Sequence, residues 1–320
     1  MVRSKAVPKT HRFRKPRTKH LNEHCQIRTT FQKILLATTV LAMSAGFAAA
    51  DVKVSGSASM GIANDGLAST QNNANGFTGV DGFQVYNSVK IKFGASVVTD
   101  AGVEFGMSTS VSGGNSYSFG DGNEAFDEEG GTVGAPTLTA KGAFGTLTFA
   151  NDGVDMLYDG DFAGDVGFAY TAGDLSFNVV SDIDATNTDA EWSANVSYTM
   201  SGVSLSMTAD ALDSYNVSAS YTSGGITGTI ETDSDAGADA VNTLTVAYAA
   251  NGMSVEVSGD TTDYTSIAFG YSANNLSVDV STDSDSEWEA TTSYDLGGGA
   301  SLVAGMNHAE EAYAGVDLSF

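Results

Sequence analysis

The chain has 320 residues, with one Cys, fourteen Lys or Arg and thirty-nine Asp or Glu, which gives a formal net charge of -25 at pH 7. Ten of the basic residues precede residue 51, so residues 51–320 contain four Lys, no Arg and thirty-eight acids, a net charge of -34. Such a segment cannot neutralise phosphates, which excludes nucleic acid as a partner and makes cations the expected counter-species.

The first fifty residues have the composition of an export signal. Arg28 and Lys33 precede an apolar run at 34–43, and the alanines at 48–50 supply the small residues that a signal peptidase needs. A membrane-anchoring helix is the alternative, but this apolar stretch of about 17 residues is shorter than the roughly 20 that span a bilayer. We therefore predict a basic leader with a signal peptide at 1–50, cleaved after Ala50, followed by one mature domain at 51–320.

Two further features of the leader bear on the mature protein. The only Cys, Cys25, lies in the leader, so the mature chain has no disulfide. Residues 1–30 are long for the basic part of a signal peptide, and they fit either a specialised leader or a start codon assigned too early.

The mature chain is dominated by an alternation of apolar and polar residues with a period of two. In its first segment Val52, Val54 and Met60 share one parity, whereas Lys53 and Ser55 occupy the other. Side chains of a strand point alternately to opposite faces, so each segment has one apolar and one polar face. Eighteen segments follow this template: 52–62, 83–97, 103–111, 137–144, 146–150, 166–171, 175–182, 191–200, 203–210, 215–222, 226–233, 241–250, 253–260, 264–271, 276–282, 287–296, 300–307 and 312–320.

These segments predict an all-β fold: a single transmembrane, antiparallel, up-and-down β-barrel of 16 to 18 strands, with short periplasmic turns and longer external loops. A soluble β-sandwich would show the same alternation. However, about 270 residues of short strands without a linker or a second composition zone favour one large barrel.

The charges of the strands support a membrane barrel, because they all fall on the polar parity. A charge on the lipid face costs about 2 to 4 kcal/mol at the bilayer midplane, which explains the bias. The polar face of a barrel lines the lumen, so we predict lumen-facing bases and lumen-facing acids. The bases are Lys53, Lys90 and Lys92, and the acids are Glu104, Asp182, Asp210, Glu231, Glu256 and Asp279; Lys141, Glu191, Glu289, Asp295 and Asp317 share the polar parity.

Aromatic residues mark the apolar face and the end of the chain. Trp192 with Tyr198, and Trp288 with Tyr294, are pairs six residues apart on the apolar parity, as expected of aromatic girdles at the two membrane interfaces. Phe320 ends the chain on the apolar parity of the last strand. A C-terminal aromatic in this position looks like the signal recognised by the outer-membrane assembly machinery.

Several stretches resemble the general porins of alphaproteobacteria, of the kind found in Rhodobacter. They occur in the same order as in that family and bracket the whole mature chain: 51–61, 99–106, 142–149, 293–302 and the C-terminal strand. The resemblance implies a 16-stranded homotrimer whose third long loop folds into the barrel and narrows it. It assigns that role to residues 151–165, whose acids Asp152, Asp155, Asp159, Asp161 and Asp165 would form the negative side of the constriction.

The chain departs from this family in its basic residues. Family members usually place a cluster of Arg and Lys on the wall opposite the constricting acids, whereas the mature chain has no Arg. Only Lys53, Lys90 and Lys92 in the early strands are available for that wall. We therefore expect an acid-lined pore in place of one crossed by a strong transverse field.

Enzyme chemistry is not expected. The mature chain has one His, His308, and no Cys, which removes most routes to nucleophilic catalysis and to a His or Cys metal site. No cofactor is predicted, although the acidic loop residues Asp233, Asp235 and Asp239 offer oxygen ligands for weakly bound calcium. A plain solvated loop is the competing interpretation of that cluster.

The sequence thus predicts an outer-membrane porin for passive diffusion of small hydrophilic solutes and ions, with a preference for cations. Its expected partners are outer-membrane lipid, lipopolysaccharide and two further copies of the chain. A non-conducting structural or adhesive barrel is the competing function, and a secreted soluble β-protein is a third.

Overall fold

A computed structural model describes residues 51–66, 82–121, 125–129, 131, 133–160, 162–185 and 190–320. These residues lie within the unit that runs from Leu36 to Phe320. The predicted leader, residues 1–50, and the candidate constriction residue Asp161 lie outside the described residues. No helix among the described residues is long and apolar enough to span a membrane.

The described residues form nineteen β-strands, and all of their pairings are antiparallel. The strands are β1 Asp51–Asp65, β2 Gln84–Val98, β3 Glu104–Tyr117, β4 Phe126–Glu129, β5 Thr137–Gly142, β6 Gly145–Asp155, β7 Ala163–Ala172, β8 Leu175–Ser181, β9 Trp192–Met200, β10 Val203–Asp210, β11 Tyr215–Ser223, β12 Ile226–Ser234, β13 Val241–Ala250, β14 Met253–Asp260, β15 Thr265–Ala273, β16 Leu276–Asp283, β17 Trp288–Gly297, β18 Ala300–Asn307 and β19 Glu311–Ser319.

Eighteen of these strands close into a barrel. Each strand pairs with its neighbours in the chain, and β19 returns to pair with β1 from Ser57 opposite Ser319 to Asp65 opposite Glu311. The exception is β4, which pairs only with the far end of β3, while the beginning of β3 pairs with β5. The predicted barrel is therefore confirmed at the upper end of its strand range, and β4 is the one strand that alternation did not predict.

The apolar parity faces outward and the polar parity faces the interior. Large apolar side chains of one parity stay exposed around the ring, as at Ile230, Val246 and Met306, which are 62%, 48% and 53% exposed. Small polar side chains of the other parity are buried, as at Ser193 and Thr208. Wall residues of this polar parity also accept hydrogen bonds from a loop on another part of the ring, Ser193 from Leu157 and Asp233 from Tyr158, which places the polar parity on the concave side.

Turns at the end of the barrel that carries the chain termini are tight. Residues with positive φ occupy both turn positions at Ser201-Gly202 (51° and 83°) and at Asn251-Gly252 (53° and 80°). This conformation matches the right-handed twist of the flanking strands, and Asn and Gly tolerate it best. A girdle of tyrosines on the outer face lies near these turns, one on every second strand from β7 to β17: Tyr170, Tyr198, Tyr221, Tyr248, Tyr271 and Tyr294.

The C-terminal residue helps to close the ring. Backbone hydrogen bonds join Gly56 N to Phe320 O (2.7 Å) and Phe320 N to Gly56 O (3.0 Å). The Phe320 ring is 45% exposed, and a Cβ added at Gly56 would lie 2.6 Å from it. The absence of a side chain at Gly56 therefore lets the last ring lie over the first strand on the outer face.

The largest group of buried apolar residues lies inside the mouth at the opposite end. Ala63 of β1, Tyr86 of β2 and Phe126 of β4 are at most 3% exposed, with Tyr117 and Tyr313 packed against them. The ring of Tyr117 lies with its centroid 5.6 Å from Tyr86, 5.0 Å from Phe126 and 5.7 Å from Tyr313. Tilted aromatic pairs at such distances contribute about 0.5 to 1.5 kcal/mol each beyond the area that they bury.

A lysine introduced on the outer face of β13 should destabilise the barrel, whereas a lysine on its inner face should not. Val246→Lys places an ammonium group on the outer face in the middle of β13, where its cross-strand neighbours are Gly228 and Val257. We expect it to lower the free energy of unfolding by about 2 to 4 kcal/mol in lipid vesicles. The matched control, Thr245→Lys, adds the same side chain to the polar face one residue away. Equal losses in a denaturant titration of the two variants would contradict the assignment of the faces.

Candidate functional site

The segment between β6 and β7 leaves the barrel wall at a break in the ladder. The pairing of these strands shifts register between Phe149 and Val154, and Asp152 adopts a φ of 46°. Such a bulge bends a strand and increases its twist. Beyond the bulge the two strands pair again, Val154 with Gly164 and Asp155 with Ala163, and the loop that joins them, which includes residues 156–160, contacts other parts of the ring.

Those contacts are made with inward-facing side chains. The Leu157 N–H donates to Ser193 Oγ on β9 (2.8 Å), and that hydroxyl donates to the sulfur of Met156 (3.3 Å). The Tyr158 hydroxyl lies 3.0 Å from Asp233 Oδ1 on β12 and 2.8 Å from Asp235 Oδ1 just beyond it. Met156 and Ser193 are buried, at 5% and 0% exposure.

The distance covered by these contacts places the segment inside the ring. Five strand spacings separate β7 from β12, on the order of 24 Å along the wall. Because residues 157 and 158 bond to inward-facing side chains of β9 and β12, the loop crosses the mouth on the concave side. A cavity of about 60 Å³ remains between it and the wall, lined by Met156, Asp159, Phe162, Asp210 and Leu212 among others.

Tyr158 is the anchor of this crossing. Partial burial, the hydrogen bond to Asp235 and the nearby Asp233 together raise the pKa of its phenol above the ordinary value of 10.0, burial being the largest cause. The phenol therefore stays protonated and donates to the carboxylates. Tyr158 has no distinguishing signal in the sequence beyond its position among the acids of 151–165.

The structure divides the four described acids of this segment into two groups. Asp155 is exposed, and Asp159 lines the cavity against the wall. Asp165, in contrast, accepts backbone N–H groups from Asp152 (3.3 Å) and Ile183 (3.0 Å), which ties the bulge of β6 to the loop after β8. Asp165 therefore has a structural role in addition to its charge.

The predicted wall acids lie on the inward parity, but one of them is sequestered. Glu104, Glu231, Glu256 and Asp279 are partly exposed on the inner face, and Asp182 follows directly after β8. Asp210 is only 7% exposed, and its Oδ1 accepts the backbone N–H groups of Leu212 (2.8 Å) and Ser214 (2.9 Å). It organises the turn after β10 and is not available to line the lumen.

Asp210 belongs to a turn that recurs four times at this end of the barrel. In each case the side-chain oxygen of the first residue accepts the N–H groups two and four residues later, and the residue three positions later has a φ of 65° to 67°. The first residues are Asp210, Asp260, Asp283 and Asn307. Several external loops are accordingly turns of only a few residues, and part of the acidic excess serves to fold them.

The described lysines occupy one arc of the wall. Lys53 lies on β1, Lys90 and Lys92 lie on β2, and Lys141 lies on β5; all four side chains are exposed. In the ring of eighteen strands, β12 with Glu231 is nine positions from β2, and β14 with Glu256 is nine positions from β5. The basic arc thus stands opposite acidic wall residues.

Among the described residues, one group of carboxylates has its oxygens close enough to share a cation, and it differs from the predicted group. The predicted group Asp233, Asp235 and Asp239 is partly engaged, because the first two carboxylates accept from Tyr158. The group that the structure brings together comprises Asp152, Asp182 and Asp184, whose carboxylate oxygens lie within 4.8 Å of one another. Carboxylate oxygens are suited to calcium. His308 lies in the turn before β19, with its Nε2 3.6 Å from Glu287 Oε1.

Comparisons with known proteins agree with this architecture. The family model described as Gram-negative porin matches residues 37–317. A porin variant of Rhodopseudomonas blastica is 16% identical, covers 84% of this chain and 100% of its own, and superposes with a TM-score of 0.50. A second variant from that organism is 15% identical with the same coverage and a TM-score of 0.49. No curated protein matches the chain significantly. At these identities the solved structures show the fold alone.

The Tyr158 contacts can be tested by hydrogen exchange. Tyr158→Phe removes the phenolic donor from both carboxylates, and hydrogen bonds to charged groups contribute about 1.5 to 3 kcal/mol. We expect amide exchange in residues 156–160 to accelerate by about 10- to 100-fold, measured by mass spectrometry. Tyr264→Phe is the matched control, because it removes a similar bond to Asp283 (3.1 Å) on another part of the ring. If both variants exchange alike at 156–160, the anchoring role is wrong.

The pH dependence of the same exchange follows from the raised pKa. The neutral phenol is favoured in the folded protein, so its stabilising effect is complete below pH 10 and is lost as the pH rises above that value. After correction for intrinsic rates, exchange at 156–160 should be constant between pH 7 and 10 and should accelerate at higher pH. Tyr158→Phe should remove this step, and its persistence in that variant would assign the titration to another group.

Proposed function

Because the chain belongs to the Gram-negative porin family, we propose that it forms a passive diffusion channel that prefers cations. The family and the closed barrel make it a porin channel of the outer membrane. Barrels of 16 to 18 strands leave an aqueous lumen, so transport needs neither an energy source nor covalent chemistry. Small hydrophilic solutes and ions are the proposed cargo.

The proposed cation preference rests on the excess of acidic residues in the mature chain and on the position of several of them on the inner wall. Residues 51–320 hold thirty-eight acids against four lysines. Glu104, Glu231, Glu256 and Asp279 are on the inner wall, where a low-dielectric surround makes their field stronger than in bulk water. Rings of carboxylates in such a pore raise the local cation concentration and repel anions.

The lysine arc modifies this preference without reversing it. Lys90 and Lys92 stand across the ring from Glu231, and Lys141 stands across from Glu256. Solutes therefore pass between a basic and an acidic wall, and a polar molecule can orient its dipole along that direction. In this proposal the lysines take the place of the Arg cluster that the family resemblance implies.

The segment 151–165 is the proposed constriction, and Asp155 and Asp159 are its proposed selective charges. Both lie near the crossing that Tyr158 anchors, and Asp155 is exposed. Asp161 shares the segment and is included on sequence grounds. Asp152 and Asp165 contribute mainly by fixing the position of the bulge, since the two are joined by a backbone-to-carboxylate hydrogen bond.

Export and assembly complete the proposal. We expect the leader to be removed after Ala50 and the mature chain to assemble as a homotrimer in the outer membrane. Mass spectrometry of the protein purified from outer-membrane fractions tests the cleavage, because the mature N-terminus should be Asp51. Any other N-terminus would relocate the processing site, and cross-linking of the same preparation tests the trimer.

Reversal potentials test the preference itself. With a tenfold KCl gradient across a planar bilayer, we expect displacement toward the cation limit of about 59 mV for a univalent ion. The displacement should be larger at about 0.1 M than at 1 M mean salt, since the Debye length falls from about 10 Å to 3 Å. Anion preference would overturn the proposal, and a barrel that conducts no current would favour the non-conducting structural class.

Charge-matched variants locate the selective groups. Glu231→Gln with Glu256→Gln and Asp279→Asn removes three inner-wall charges and should move the reversal potential toward zero. The control removes three charges from external turns, Asp213→Asn with Asp263→Asn and Asp285→Asn. Asn is well suited to Asp213 and Asp263, which both have a φ of 65°. Equal shifts in the two sets would show that surface charge, and not the inner wall, sets the preference.

A further inference from the structure

We propose that the tip of the hairpin formed by β3 and β4 is a second constricting element, which narrows the channel from the wall opposite residues 156–158. The hairpin tip is defined here as residues 117–121 together with Ala125 and Phe126. This inference rests on the proposed channel function and adds a second determinant of its aperture.

The hairpin tip is anchored by packing and by a hydrogen bond to the wall. Tyr117 contacts Tyr86, Phe126 and Tyr313, and the ring of Phe119 lies 5.0 Å from that of Tyr313. The Gly120 N–H donates to Glu311 Oε2 (2.8 Å), and the Asn307 side-chain amide donates to the same oxygen (2.7 Å). Glu311 is 2% exposed and Ala125 is 1% exposed, so this interface is buried.

The partners of the hairpin tip show that it lies on the concave side. Tyr86 pairs with Gly61 in the ladder, and Tyr313 pairs with Ala63; these positions belong to the inward parity of β2, β19 and β1. A Cβ at Gly61 would lie 2.7 Å from the Tyr86 hydroxyl, and one at Gly315 would collide with it. Gly61 and Gly315 therefore leave space on the inner wall for the ring of Tyr86, which supports the hairpin tip.

A second pair of glycines accounts for the bend of the hairpin. Residues 113 and 114 of β3 are both Gly, and Gly114 has a φ of 110°, which side chains rarely adopt. A Cβ at Gly114 would also collide with the carbonyl oxygen of Asn87 on β2. Beyond this point the strand leans over β2 and β1 as far as β19, three positions away around the ring.

The two in-folded segments occupy opposite walls. The hairpin tip packs on β1, β2 and β19, whereas residues 156–158 bond to β9 and β12. In the ring of eighteen, β11 lies between β9 and β12 and is nine positions from β1 in either direction. The opening at this mouth is thus bounded on both sides, and the hairpin also presents exposed acids at Asp121 and Asp127.

Single-channel conductance of the full mature chain in planar bilayers tests this proposal. Tyr117→Ala removes the ring that contacts three others, so the hairpin tip is released and conductance should rise. Tyr248→Ala, which removes an exposed tyrosine from the outer face, is the matched control and should leave conductance unchanged. Heat-modifiable migration of both variants on gels checks that each barrel has folded.

A labelling experiment covers the case in which Tyr117→Ala fails to fold. The mature chain has no Cys, so Asp127→Cys introduces a single reactive thiol at an exposed position. Coupling a polyethylene glycol maleimide to it should cause a loss of conductance, whereas the same coupling at Asp285→Cys, in the turn after β16, should not. Conduction by the wild type with no change on labelling Asp127→Cys overturns the second constriction alone. Absence of conduction by the wild type overturns the proposed function as well.

Discussion

The hydrogen bonding of the backbone is the constraint on which the rest of this structure depends. Lipid offers no partner to a peptide group, so every N–H and C=O within the membrane must bond to another strand, and no strand can remain an edge. The pairing of β1 with β19, extended by the bonds between Gly56 and Phe320, satisfies that requirement. Closure then fixes one face to lipid and the other to water, and the alternation of side chains follows.

Because barrel closure constrains every strand in the same way, most of the fold could be predicted from the sequence. Each of the eighteen barrel strands was predicted from alternation, since one face must be apolar and the other polar along its whole length. The strand β4 was not predicted, because Phe126–Glu129 is four residues long, pairs only with β3 outside the ring of eighteen and has one buried and one exposed residue at its start. Apolar and polar residues alternate where a strand has lipid on one face and water on the other. β4 has protein on one face and water on the other, so its sequence need not show that pattern.

The site was less predictable, because its arrangement depends on contacts between distant parts of the chain. Parity placed Glu231, Glu256 and Asp279 on the polar face. It placed Asp210 there too, and so predicted that all four acids line the lumen. The structure separates Asp210 by its hydrogen bonds to the turn that follows it. The turn begins with Asp at three sites and with Asn at the fourth, and the positive φ three positions later is a backbone property that the sequence does not display. Tyr158 and Tyr117 had no sequence signature, since the carboxylate partners of Tyr158 lie 75 residues or more along the chain and the aromatic partners of Tyr117 come from three different strands.

The width that closure imposes explains why both aromatic anchors are needed. An eighteen-stranded ring encloses more space than side chains of its own wall can fill, so any narrowing must come from segments that cross the mouth. A polar segment alone would be solvated on all sides and would gain little from ordering, because ordering a residue costs about 1 to 2 kcal/mol. Tyr158 offsets that cost through two carboxylates, and Tyr117 does so through three aromatic neighbours. Acidic residues can therefore line the opening, because apolar and phenolic groups behind them hold the chain in place.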